Sequence, residues 1–217
     1  INLNFAFLSD PLFFQWKHTA PRDQRIDPSI SNIIELIVLT TDHYNEVLSW
    51  TANNKSASEF PTEPSVETLN SLFASSLQPY KAIGDQLIYT PAKFKKLFGT
   101  TADSTLQGKF KVIKAQGATL TDNEIKARVL SAIGTFFSIS NWSYGESFYY
   151  TELCAFIHSQ LSTQISSVVI VGSDAESVFG DLFEITSEPN ELFYSTATVD
   201  NIEIINSFTD QNLKKGS

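Results

Sequence analysis

The sequence predicts an α+β fold, with mixed sheets and packed helices arranged in two small subdomains, 1–105 and 106–217. Three observations lead there. A chain of 217 residues suits one or two domains at roughly 150 residues each. With 42% apolar and 18% charged residues, it has enough apolar side chain to bury a sizeable core. Short β-branched runs such as Val168–Val171 also alternate with well-punctuated stretches of helical period.

The elements follow in order. Leu12–Trp16 is an aromatic-rich, strand-like run, and Pro21–Pro28 is a turn-rich connection. Ile33–Leu39 is dense in β-branched residues, as a buried strand would be. Thr41 and Asp42 can cap a short helix whose Tyr44, Val47 and Leu48 share one face. Residues 51–64, rich in Asn, Ser and Thr with two prolines, read as a flexible linker. Val66, Leu69, Phe73 and Leu77 then recur at helical spacing. Thr90 before Pro91, with Gly99 after Phe98, carries the start and stop signals of a helix.

The second half reads as a small α+β unit. Gly108–Ala115 is a strand, and Thr121-Asp122-Asn123-Glu124 is a capping box opening a helix to about Ser138. Ile125, Val129, Ala132, Ile133 and Phe136 form its apolar stripe. Gly145 bends the chain toward a short strand at Ser147–Tyr150, and Thr151 caps the next helix, with Leu153, Phe156, Ile157 and Leu161 on one face. Ser166–Val171 is a β-branched strand. Leu182–Thr186 and Glu191–Thr196 flank the turn Ser187-Glu188-Pro189-Asn190 and read as a hairpin. Asn201–Ser207 is the last strand.

Net charge is −9, which argues against a nucleic-acid binder, because phosphate contacts require clustered Lys and Arg. The excess is local. Residues 1–120 hold 11 basic and 11 acidic side chains, whereas residues 121–217 hold 4 and 13. Lys81, Lys93, Lys95, Lys96, Lys109, Lys111 and Lys114 face only Asp85 and Asp103 in the intervening sequence. This segregation fits either two solvated faces or an acidic part that meets a basic surface on another copy or a neighbour. No apolar stretch is long enough to span a bilayer. The one cysteine, Cys154, has no partner for an internal disulfide. The lack of any methionine predicts a fragment or a processed product.

Catalytic signals are sparse. His18, His43 and His158 are scattered, and the first two read as surface or loop histidines. Cys154 and His158 lie four apart on one helix face, yet Cys154 reads as a small core residue. Glu146 and Glu152 do not share a face, and there is no glycine-rich phosphate loop or dinucleotide fingerprint. The expectation is no enzyme, no catalytic residue, no metal ligand and no cofactor. Aromatic weight is the positive signal: 17 Phe, 7 Tyr and 3 Trp. Their densest cluster, Phe136, Phe137, Trp142, Tyr144, Phe148, Tyr149 and Tyr150, reads as core first and interface second.

Several stretches together resemble the baseplate wedge proteins of contractile-tailed bacteriophages. Toward the N-terminus these are Trp16-Lys17-His18, Arg25-Ile26-Asp27-Pro28-Ser29, Asn32-Ile33-Ile34 and Val38-Leu39-Thr40. Further on come Tyr89-Thr90-Pro91, Phe94-Lys95-Lys96-Leu97-Phe98-Gly99, Asn141-Trp142 and Gly145-Glu146-Ser147-Phe148. The likeness continues through Val168–Val171, Phe183-Glu184-Ile185 and Pro189-Asn190-Glu191-Leu192-Phe193. It is closest in character to the C-terminal part of the large inner-ring wedge protein, related to the baseplate J group. One departure is Gly172, where the family pattern has proline after the apolar strand.

The resemblance implies a structural virion protein of the tail baseplate, assembled in the host cytoplasm. Its expected partners are itself, as a dimer or ring, and other wedge proteins. Nucleic acid, membrane and small-molecule substrate are not expected. Trp142, Tyr144, Phe148, Tyr149, Glu184 and Glu191 are the candidate interface residues. The alternatives are a receptor- or glycan-binding module of a tail or surface protein, and a small hydrolase using Cys154 or a carboxylate pair.

Overall fold

A computed structural model describes residues 33–53, 59–76, 86–173, 179 and 184–215. The fold is α+β, and the chain separates into two compact units, 1–52 with 60–93, and 53–59 with 94–217. The main division therefore follows Lys93, upstream of the 105/106 boundary expected from sequence. The strand that begins at Lys93 pairs forward, and Leu97 and Phe98 enter the larger core. The expected strand at Leu12–Trp16, the Pro21–Pro28 connection, His18 and Leu77 lie outside the described residues.

In the first unit, β1 (Ile33–Val38) is followed by α1 (Thr41–Ala52), α2 (Val66–Phe73) and β2 (Gln86–Pro91). β1 and β2 pair in parallel, from Ile33 opposite Gln86 to Val38 opposite Pro91. Pro91 fits there because it closes the strand, where a missing N–H breaks no interior ladder bond. Val38 and Tyr89 on one face of the pair form a small core with Leu69 and Phe73 of α2. Ser65 caps α2, accepting a bond from the Thr68 N–H at 3.2 Å.

Three sequence expectations change here. Thr40, not Thr41 or Asp42, caps α1: the His43 N–H donates to its hydroxyl and the Tyr44 N–H to its carbonyl. The buried face of α1 is His43, Val47 and Trp50, with Leu48 exposed. Trp50 packs edge-on against Phe60 at 5.1 Å, and α1 runs on to Ala52, so the expected linker is entered later than residue 51.

In the second unit, β3 (Lys93–Leu97) pairs with β8 (Glu191–Ser195). β4 (Gly108–Lys114) is the centre of a three-stranded sheet, antiparallel to β6 (Ile165–Gly172) and parallel to β9 (Ile202–Ile205). β5 (Ser147–Tyr149) pairs antiparallel with β7 (Glu184–Thr186). α3 (Asp122–Phe136) and α4 (Tyr150–Gln160) pack on the central sheet through Ile125, Val129, Ile133, Leu153 and Ile157, against Phe110, Val112, Ile170 and Ile202. The capping box at Thr121 and Glu124 forms as expected, with the Thr121 N–H donating to the Glu124 carboxylate at 2.8 Å.

Three local readings fail in this unit. The segment between Thr90 and Gly99 is not a helix: β2 ends at Pro91 and β3 occupies Lys93–Leu97, because β8 offers β3 a ladder. The stop signal at Gly99 has a different origin. Phe98, not glycine, takes the left-handed backbone (φ 75), while Gly99 leaves room for the Thr196 carbonyl. β7 and β8 flank their turn but pair with β5 and β3 instead of each other. Finally, α4 starts at Tyr150 with no side-chain cap, so Thr151 is helical.

Candidate functional site

The charge segregation of the sequence folds back on itself. β3–β8 and β4–β9 pairing lay the basic stretch alongside the acidic one. Lys95 meets Glu191 at 3.3 Å, and Lys114 meets Asp122 at 2.9 Å. Lys109 and Lys111 both reach Glu203, at 3.3 and 2.5 Å. Lys111 and Glu203 are direct cross-strand partners, so the pair also specifies the register of β9. Lys111 is only 3% exposed, and a buried ammonium is costly without a facing carboxylate. Burial pushes the Glu203 pKa up, but Lys111 and Lys109 outweigh it and hold the carboxyl below its ordinary range. Four lysines of the basic stretch therefore meet three carboxylates of the acidic half within the same chain.

The six candidate interface residues divide sharply. Phe148 and Tyr144 are buried, and Trp142 is half-buried within an aromatic lattice. Trp142 stacks on Phe137 at 5.6 Å, meets Phe193 edge-on at 5.1 Å, and donates its indole N–H to the Phe136 carbonyl at 2.8 Å. Phe98 lies at the other side of this lattice, against Phe110, Phe148 and Phe179. These three candidates are packing residues, in line with the core reading of the aromatic cluster, and the alternation of β5 turns Phe148 inward and Tyr149 outward. Gly145, at φ 71, makes the bend that delivers the strand, as expected. Glu191 is also engaged. Besides Lys95, it accepts the Glu188 N–H at 2.8 Å and so closes the turn before β8.

Tyr149 and Glu184 remain on the surface. They are cross-strand partners in β5–β7, and Tyr149 is 40% exposed. The Glu184 carboxylate raises the Tyr149 phenol pKa, with smaller contributions from burial, the hydrogen bond to Glu184, and Glu152. Exposed Glu146, Glu152 and Glu188 flank the pair on the adjoining turn and helix. Among the described residues, no Lys or Arg forms an ion pair with Glu146, Glu152, Glu184 or Glu188. The result is an aromatic side chain in an acidic rim, where each lost hydration shell would have to be replaced by a partner's cation.

The nucleophile candidates do not assemble. Cys154 is half-buried on α4 and packs against the core, and burial pushes its thiol up to about 12. His158, one turn on, is exposed. A thiol held protonated is a poor nucleophile. Glu146 accepts the Ser143 N–H at 3.0 Å, which stabilises the bend before β5. His43 corrects the surface expectation. It is 5% exposed, and burial lowers its pKa despite the opposing carboxylates of Glu46 and Glu63. Among the described residues, no group of three His, Cys, Asp or Glu is placed to hold a metal ion. A cleft of about 270 Å³ beside β6, lined by Val169, Ile170, Val171, Phe179, Leu213 and Lys215, is mostly apolar.

One residue that organises the unit, Asn201, is not singled out from the sequence. Asn201 accepts the Thr198 N–H and hydroxyl at 2.9 and 3.1 Å, and donates to the Phe98 and Gly108 carbonyls at 3.3 Å each. It joins the ends of β3 and β4 to the approach of β9. Only the Thr198-x-x-Asn201 spacing, a variant of the capping box, hints at it.

No protein-family model matches the sequence, and no curated protein matches it. No helix among the described residues is long and apolar enough to cross a membrane.

Proposed function

We propose that this chain is a structural assembly module of a contractile phage tail baseplate, docking to copies of itself and to other wedge proteins. The resemblance in sequence pattern supplies the identity of the partners. The observation that carries a protein-docking reading is the β5–β7 rim, where exposed Tyr149 sits beside Glu184 amid Glu146, Glu152 and Glu188. Aromatic anchors surrounded by charge suit association whose rate and orientation follow electrostatics. The other groups of chemical interest serve the fold: Cys154 is held as a thiol, and Lys95, Lys109, Lys111, Glu191 and Glu203 are joined across strands. Its place in the virion follows from the same proposal.

The test is light scattering at low and high salt, with a pull-down against full-length wedge proteins. Association that weakens with salt, and weakens roughly tenfold or more in the Tyr149→Ala, Glu184→Gln double variant, is expected from loss of an anchor and its charge. A chain that stays monomeric at high concentration and retains no wedge protein would overturn the proposal.

A further inference from the structure

We draw no further inference here: the strongest candidate, the apolar cleft beside β6 between Val169, Val171, Phe179 and Leu213, carries nothing because nothing in the structure shows what covers it.

Discussion

Replacing Gly99 with alanine probes a close backbone approach in the second unit. A Cβ at this position would lie 2.0 Å from the Thr196 carbonyl oxygen, 2.6 Å from its carbon and 2.7 Å from the Thr196 hydroxyl. Non-bonded heavy atoms rest at about 3.5 Å, so the two backbones must part by more than an ångström. Separation acts directly on two bonds, Thr196 N–H to the Leu97 carbonyl at 3.0 Å and Thr196 hydroxyl to the same oxygen at 3.1 Å. At about 1 kcal/mol each, with about 1–3 kcal/mol for the forced shift, the expected loss is about 3–5 kcal/mol. Urea unfolding followed by tryptophan fluorescence reads it, since Trp142 lies in the same unit's aromatic lattice. Gly134→Ala is the control, because its Cβ meets nothing within 4 Å, and helix propensity favours alanine by about 0.5–1 kcal/mol. A Gly99→Ala loss below about 1 kcal/mol would refute the close approach.

Glu203→Gln should destabilise the second unit by about 2–3 kcal/mol, since it removes the charge facing buried Lys111 from a carboxylate still partly open to water. Because the folded pKa of Glu203 is depressed, its contribution is complete above the ordinary value of 4.5 and is lost as pH falls through the folded value. The variant's stability should therefore fall less steeply in acid than the parent's. His43 has the opposite charge type. Its folded pKa lies below 6.5, so the unfolded chain binds the proton first, and stability drops as pH falls below that value. His43→Gln should flatten the slope between about pH 7 and 5, and an unchanged slope would remove His43 as its source. Cys154 should react with a thiol-specific disulfide reagent at about pH 8 far more slowly than an ordinary thiol, because burial pushes its thiol up to about 12 and leaves little thiolate. Rapid labelling of the native chain would contradict that burial.

Elements whose information is local were legible in advance. The α3 capping box and its apolar stripe, the β-branched β6, the strand β4 and the last strand β9 all form where the residues suggest. Local signals misled where a partner decided the outcome. Thr90-Pro91 and Gly99 carry helix punctuation, yet Lys93–Leu97 is strand because β8, almost a hundred residues away, offers a ladder. The turn between β7 and β8 is real, but β5 and β3 claim the two strands. The candidate site was legible only in part. Period-2 alternation on β5 separates Tyr149 from Phe148, but only once the strand's inner face is known.

By itself, the sequence determined the fold class, the sign and segregation of charge, and the helix with the strongest cap, because composition, charge order and short-range spacing do not depend on which strands pair. Tertiary structure alone decided that Lys95, Lys109, Lys111 and Lys114 find carboxylates of the acidic half, that Tyr149 rather than Phe148 of the aromatic cluster faces outward, and that Gly99 must lack a side chain. Those outcomes depend on which strands lie side by side, and pairing at long range is set by the burial of whole faces rather than by the residues on either side of one position.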